Sequence, residues 1–218
     1  MKESAAHLRD RAAHIRAFLR TAYPDATCAL TFSSPLELLV ATILSAQCTD
    51  ARVNMVTPAL FRKYPSAQAY AAADPASLMN EIKSCGFFRA KARSITGMAR
   101  RIVEHHGGRV PRSMLELVQL PGVARKTANI VLGTAFGINE GIAVDTHVRR
   151  VAQRLGLTRH DDPVKIEQDL MALVPRDEWT IFAHRMTAHG RAVCKARTPD
   201  CPRCGARAWC AYFTQRNK

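Results

Sequence analysis

Four cysteines near the carboxyl end of the chain have the spacing of a metal-binding site. They are Cys194, Cys201, Cys204 and Cys210, and six, two and five residues separate them in turn. In a reducing compartment, cysteines this close together indicate metal ligation rather than disulfides. Their thiolates can hold Zn²⁺ or an iron–sulfur cluster, and the spacing does not distinguish the two. Because Lys195 and Arg197 lie in the first loop, we expect a structural metal site whose loop contacts a polyanion.

A tight turn between two predicted helices is the second candidate site. Pro121 fixes one backbone angle there, and Gly122 lets the backbone approach a partner closely. The following helix, predicted from about 124 to 136, directs its free N–H groups outward, as phosphate-binding helices do. Arg125 and Lys126 fall in its first turn, where the helix dipole disfavours cations. An ordinary helical corner leaves that cost unexplained, whereas a bound phosphate or a chemical role for Lys126 would offset it.

Lys126 therefore has two interpretations. Contact with a phosphate is the commoner role of such a lysine. As a nucleophile, its neutral amine would attack a sugar C1′ or an aldehyde and form a Schiff base. We expect the helix dipole, Arg125 and partial burial to favour the neutral amine. These residues by themselves leave both roles open.

Asp145 lies between an apolar stretch and a basic helix that carries Arg149 and Arg150. Aspartate is a frequent N-cap of helices, and a carboxylate at a helix start can also help to expel a base or transfer protons. Both roles are compatible. We expect His147, two residues further on, to be a structural hydrogen-bonding group rather than a catalyst.

The charge balance predicts a nucleic-acid partner. Lys and Arg outnumber Asp and Glu by 32 to 18, giving a formal net charge of +14, and a strongly basic chain binds phosphates by releasing their counterions. The 47% of hydrophobic residues excludes a disordered tail. Since the first twenty residues are charged throughout and no apolar run approaches the ~18 residues of a membrane span, we expect a cytoplasmic protein, associated with the nucleoid in a bacterium.

Helical patterns run through nearly the whole chain. Capping boxes begin at Ser34 and Ser113, and Asp-Pro pairs at Asp74 and Asp162 mark further helix starts. No segment of useful length alternates as a strand does. Short helices joined by short turns predict an all-α protein, in which any lobes are compact and have a cleft between them.

Three motifs in order give the chain a resemblance to a known family. The run LPGVARKTAN, then AVDTH, then the terminal cysteine spacing closely resemble the endonuclease III family, which are DNA glycosylases with lyase activity at abasic (AP) sites. The similarity spans nearly the whole chain, from SSPLELLVATILSAQCTD through CGFFRAKA to the cysteines.

The resemblance implies two helical lobes with a DNA-binding cleft between them. A six-helix domain would cover 28–139, with its helix-hairpin-helix at about 114–133, and an iron–sulfur domain would combine 1–27 with 140–218. The implied partner is double-stranded DNA that contains damaged bases or abasic sites. We expect a monomer with no membrane partner.

The resemblance also implies roles for individual residues. Lys126 matches the family nucleophile, Asp145 matches its essential aspartate, and the four cysteines match the ligands of a [4Fe–4S] cluster. Gln47 matches the side chain that fills the gap left by an extruded nucleotide, and Phe87 stands where the family often has an aliphatic wedge. Residues expected to contact DNA are Gln47, Phe87, Gly122, Ala124, Arg125, His147, Lys195 and Arg197.

The implied activity is that of a bifunctional enzyme of base excision repair. It would remove damaged bases, oxidised pyrimidines by family expectation, after flipping them out of the duplex. Lys126 would attack C1′ with assistance from Asp145, and β-elimination through the Schiff base would cut the strand 3′ to the abasic site. We expect no metal in the chemistry itself.

The chain departs from the family pattern at two positions, and two other functions remain open. Ala124 replaces a second glycine of the hairpin, which would carry strain if its φ were positive, and Phe87 is bulkier than the usual wedge. A related mismatch adenine glycosylase fits Lys126 less well, and it usually has an extra C-terminal domain. A non-catalytic DNA-binding module with a zinc site would bind the backbone without cutting it.

Overall fold

Helices form most of residues 4–216, the part of the chain that this computed structural model describes. No strand occurs in that range, so the predicted all-α fold is confirmed. Every helix described there is too short or too polar to span a membrane.

The chain divides into two compact units, Cys28–Glu140 and a second unit that combines Met1–Thr27 with Gly141–Lys218. The predicted iron–sulfur domain includes residues 1–3 and 217–218, which lie outside the described residues. Numbered in chain order, the α-helices are α1 (Ala5–Ala22), α2 (Pro35–Ser45), α3 (Asp50–Lys63), α4 (Ala67–Ala71), α5 (Pro75–Glu81), α6 (Phe88–His106), α7 (Met114–Leu117), α8 (Arg125–Phe136), α9 (Thr146–Leu155), α10 (Pro163–Leu173), α11 (Trp179–Ala192) and α12 (Ala211–Arg216). Short 3₁₀ segments cover Lys83–Cys85, Arg176–Glu178, Cys201–Arg203 and Arg207–Trp209.

The apolar helix α2 is the centre of the unit Cys28–Glu140. Ser34 caps it by accepting a hydrogen bond from the Glu37 backbone N–H at 3.2 Å, and Pro35 occupies its first position. All seven side chains from Leu38 to Leu44 are buried. Because α2 packs against α3, α6 and α8, it positions α8, which is the second helix of the predicted hairpin, and α6, which precedes the hairpin.

Helix α6 presents one apolar face to the same core. Ile95, Met98 and Ile102 are fully buried at the spacing of a helical stripe. The helix runs from Phe88 to His106, and Gly107, with a left-handed φ of 56°, closes its last turn.

The second unit is built around α9 and α11. These two helices pack against each other, α1 packs on α11, and α12 packs on α9. Ile15, Leu19, Val151 and Phe182 are almost completely buried in its core. The cysteine-rich end of the chain therefore rests on the same helix, α9, that Asp145 caps.

Candidate functional site

The predicted hairpin is formed by α7, the turn 118–124 and α8. Gly122 has a φ of +78°, and a Cβ built there would lie 2.6 Å from the Cβ of Ser94 on α6. Pro121 also lies close to α6, because a Cβ added to Gly97 would be 3.3 Å from the Pro121 ring. Gly122 therefore serves the close packing of the turn on α6, in addition to its positive φ.

Ala124 is the N-cap residue of α8 and carries no backbone strain. Its φ is −90° and its ψ is 169°, so the expected strain of a methyl group at this position is absent. Alanine has no side-chain acceptor, and no side chain caps the helix at this residue. Backbone N–H groups of the first turn of α8 can thus bind an anion in place of a cap.

Lys126 lies in the first turn of α8, directly after Arg125, and both side chains are exposed. The expectation that Lys126 is partly buried is therefore wrong, and burial contributes nothing to the chemistry of its amine. Exposure nevertheless suits a nucleophile, since it leaves the amine accessible to a bound substrate. The hairpin brings together Gly122, Ala124, Arg125 and Lys126, four of the predicted site residues.

Asp145 belongs to the second unit, and its half-buried carboxylate accepts a hydrogen bond at each oxygen. Its Oδ1 accepts a 2.7 Å hydrogen bond from the Val148 backbone N–H, as an N-cap does, and its Oδ2 accepts one from Thr187 Oγ1 at 3.3 Å. Thr187 lies on α11, so two helices fix the orientation of the carboxylate. Thr187 was not predicted, and only its position in the fold reveals it.

Two histidines share the surroundings of Asp145. Burial lowers the pKa of His147, with Arg150 and Arg191 acting in the same direction and Asp145 against them. Burial also lowers the pKa of His184, again opposed by Asp145. Arg150 donates a 3.1 Å hydrogen bond to His147 Nδ1. A hydrogen bond within the protein is the kind of contact that we expect for a structural histidine. The lowered pKa of both imidazoles favours their neutral forms.

Gln47 and Phe87 lie in two loops of the unit Cys28–Glu140 and share an unusual backbone. They have φ angles of 52° and 46°, the only positive values among described residues other than glycine. Conformations of this kind cost roughly 1–3 kcal/mol each and persist where surrounding contacts impose them. Gln47 is exposed, and 63% of Phe87 is exposed despite its aromatic ring. Both side chains are thus presented to solvent by loops of strained backbone.

Lys91, which follows Phe87 by one turn of α6, was not predicted as a site residue. Its side chain is only 5% exposed and donates hydrogen bonds to the backbone carbonyls of Leu44 and Cys85. Lys91 precedes Ile95 by four residues and Met98 by seven, so helical spacing places it on the apolar face of α6. The sequence does contain this signal.

The four predicted metal ligands line one cavity in the second unit, together with His189 of α11. Burial is the main cause that raises the pKa of the Cys204 and Cys210 thiols. No three His, Cys, Asp or Glu groups in residues 4–216 are arranged around a position for a single metal ion. The four thiols line this one cavity, and cysteine thiolates are ligands both of zinc and of iron–sulfur clusters.

The loop after Cys194 is held by arginines of α9. Arg150 Nε donates to the Cys194 carbonyl at 3.1 Å, and Arg154 donates to the carbonyls of Lys195 and Ala196 at 2.7 Å each. The side chains of Lys195 and Arg197 remain exposed. A rigid backbone with outward cations is the arrangement expected for contact with phosphates.

Known proteins resemble this chain over almost its whole length. Residues 40–176 match the model for the HhH-GPD superfamily base excision DNA repair protein. Endonuclease III of Synechocystis sp. is 56% identical over 196 residues, which are 90% of each chain. A non-covalent endonuclease III–DNA complex has a TM-score of 0.91 and 44% identity, covering 96% of this chain and 98% of that chain. A trapped endonuclease III–DNA covalent intermediate has a TM-score of 0.89 and 45% identity, covering 95% and 99%.

Replacing Gly122 by alanine is expected to weaken binding to a duplex that contains an abasic site by at least about tenfold, because the displaced turn misplaces the start of α8. Fluorescence anisotropy with a labelled duplex measures the affinity. Gly137→Ala is the matched control, since Gly137 has a φ of +68° and no atom within 4 Å of its added Cβ. Equal affinities of the two variants would contradict the role of the Gly122–Ser94 contact.

Proposed function

This chain belongs to the endonuclease III family of the HhH-GPD superfamily, and we propose that Lys126 and Asp145 carry its chemistry. The protein is a base excision repair enzyme, a DNA glycosylase and AP lyase that acts on damaged bases. The observation that carries the residue assignment is the exposed amine of Lys126 at the uncapped start of α8. A trapped covalent complex is known for a relative 45% identical to this chain, and a lysine amine is the group that forms a Schiff base with a sugar.

DNA binding in this proposal rests on two sets of groups. The hairpin presents the N–H groups of α8 and the side chain of Arg125 to a phosphate, while Lys195 and Arg197 contact the backbone from the loop after Cys194. His147 is a further DNA contact implied by the family resemblance. Gln47 and Phe87 enter the duplex and replace the stacking that is lost when the damaged nucleotide is flipped out.

Lys126 performs the covalent step. Its neutral amine forms a bond to C1′ as the bond from C1′ to the damaged base breaks, and the base leaves with a proton. Ring opening gives an imine, which acidifies the C2′ proton. Loss of that proton breaks the bond between C3′ and its oxygen, so the strand is cut 3′ to the abasic site with the phosphate as leaving group. The lysine is released when water hydrolyses the imine.

Asp145 assists the departure of the base. The hydrogen bonds from Val148 and Thr187 hold its carboxylate in one orientation, so its charge requires little reorganisation during the reaction. A fixed anion stabilises the positive charge that develops on the sugar, and it can take part in the proton transfers of this step.

The substrate class and cellular location are further parts of the proposal. Oxidised pyrimidines in double-stranded DNA are the substrates expected from the family resemblance. The net charge of +14 supports a strong contribution of phosphate contacts to affinity. We place the enzyme in the cytoplasm, with the nucleoid in a bacterium, and expect it to act as a monomer.

The cysteine cavity is proposed to hold a [4Fe–4S] cluster through Cys194, Cys201, Cys204 and Cys210. Held by these four thiolates, such a cluster would cross-link the end of the chain. Arg154 supports this arrangement from α9, since its Nη1 lies 3.5 Å from Cys194 Sγ and its carbonyl oxygen lies 3.4 Å from Cys210 Sγ. The exposed cations of the adjoining loop are thereby kept in position for DNA.

Lys126→Ala is expected to abolish the covalent adduct that borohydride traps between the enzyme and abasic-site DNA, because it removes the attacking amine. Gel electrophoresis of the reduced mixture measures the adduct. Arg125→Ala is the control, since it removes a cation from the same helical turn and leaves the amine. This variant should still be trapped when the protein is in excess over its dissociation constant. An undiminished adduct with Lys126→Ala would exclude Lys126 as the nucleophile.

Asp145→Asn is expected to slow removal of a damaged base by about 10²–10⁴-fold and cleavage of a pre-formed abasic site by much less. Asparagine is also a good N-cap, so α9 should remain folded and the loss should reflect the missing charge. Single-turnover assays on the two duplexes give both rates. Equal losses on both substrates would contradict the assignment of Asp145 to departure of the base.

Purified protein is expected to be yellow-brown and to contain four iron and four sulfide per chain, as the proposed [4Fe–4S] cluster requires. Iron and acid-labile sulfide analyses measure the content. Cys201→Ser should lower it, while Cys28→Ser should not, because Cys28 is a partly buried thiol of the other unit. A colourless protein with one bound Zn²⁺ would refute the cluster.

A further inference from the structure

Two loops of the unit Cys28–Glu140 converge on one buried ammonium group. The first loop follows α2 and carries Gln47, and the second precedes α6 and carries Phe87. Lys91 Nζ donates to the Leu44 carbonyl at 2.7 Å and to the Cys85 carbonyl at 2.8 Å. One side chain thus fixes a carbonyl three residues before Gln47 and another two residues before Phe87.

The first of these bonds completes the carboxyl end of α2. After Leu44 the chain leaves the helix, and Cys48 N donates to the Ser45 carbonyl rather than to that of Leu44. The Leu44 carbonyl is therefore one of the acceptors that a helix end leaves without an intrahelical partner. A lysine ammonium satisfies it and also interacts favourably with the negative end of the helix dipole.

The second bond, together with a backbone contact, fixes the start of α6. Cys85 ends the 3₁₀ segment Lys83–Cys85, and its carbonyl is held by the Lys91 ammonium. The backbone N–H of Lys91 in turn donates to the Phe87 carbonyl at 3.0 Å. Phe87 has no side-chain cap bond and a left-handed backbone, so these two contacts on either side of it define its orientation.

Burial of Lys91 is unfavourable by itself. Desolvation lowers the pKa of its ammonium, while the thiols of Cys48 and Cys85 act in the opposite direction. Neither of its two hydrogen-bond acceptors is a carboxylate, so no ion pair through these bonds offsets the desolvation. An apolar side chain of similar length would avoid that penalty but would leave the Leu44 and Cys85 carbonyls without this donor, so the advantage of lysine at this position is the pair of bonds that it makes to the two loops.

We propose that Lys91 is a positioning residue that holds Gln47 and Phe87 in the arrangement in which they enter the DNA duplex. The inference rests on the proposed function, in which these two side chains fill the space of the flipped nucleotide. Loops that already have their bound conformation lose little conformational entropy on binding DNA. Lys91 supplies that order by tying both loops to the same nitrogen.

A double-mutant cycle tests this proposal. Lys91→Met keeps the unbranched stem and removes the donors, and it is combined with the double substitution Gln47→Ala and Phe87→Ala. Single-turnover cleavage of a duplex with an abasic site is measured for each protein. We expect Lys91→Met to slow the reaction about tenfold when Gln47 and Phe87 are present and less than about twofold when both are absent, because coupled residues are not additive.

A second measurement reports insertion directly. With 2-aminopurine opposite the abasic site, entry of the two side chains should change its stacking and hence its fluorescence. Lys91→Met should lose most of this change. Ile102→Val is the matched control and should keep the change, because Ile102 lies on the buried face of the same helix, about 16 Å along its axis from Lys91. If Lys91→Met does not fold by circular dichroism, the cycle is repeated with Lys91→Gln, which keeps an N–H₂ donor but no charge.

The outcomes separate this inference from the proposed function. Equal slowing by the Lys91 substitution with and without Gln47 and Phe87 would overturn the positioning role. Full activity and an unchanged fluorescence response of the Gln47→Ala and Phe87→Ala double variant would instead show that these residues do not enter the duplex. In that case the role proposed for Gln47 and Phe87 would fail, independently of Lys91.

Discussion

The close approach of the turn 118–124 to α6 is the constraint on which the hairpin depends. Gly122 lies against Ser94 with no room for a Cβ, and the start of α8 is defined by this contact rather than by a side-chain cap. A helix that begins with two exposed cations and an uncapped end is unfavourable in water. In the proposed function, a phosphate bound against the N–H groups of this helix start offsets that cost.

Polar groups away from the hairpin also position neighbouring residues. Thr187 orients the Asp145 carboxylate, and Arg154 fixes the backbone of the loop after Cys194. Lys91 does the same for the loops of Gln47 and Phe87. In each case a side chain with strong directional bonds holds backbone or carboxylate atoms, while the apolar cores around α2, α9 and α11 supply the stability. Sites that need preorganised groups use such supporting contacts widely.

Much of this arrangement could be predicted from local sequence signals. Ser34, Asp74 and Asp162 cap helices as their spacing predicts. Gly107 ends α6 and Gly137 ends α8, each with a left-handed backbone. Other features depend on tertiary packing. The exposure of Lys126, the partnership of Asp145 with Thr187 and the positive φ of Gln47 and Phe87 are set by residues distant in sequence. No local pattern contains that information, although the helical spacing of Lys91 with Ile95 indicated that it faces the core.

The most direct test of the account is to locate the covalent bond itself. After borohydride reduction of the enzyme with abasic-site DNA, nuclease and protease digestion leave a sugar remnant on one peptide, and tandem mass spectrometry identifies the modified residue. The account predicts the remnant on the side-chain nitrogen of Lys126, within the peptide that begins α8. A remnant on Lys195, on another lysine or on the amino terminus would contradict it.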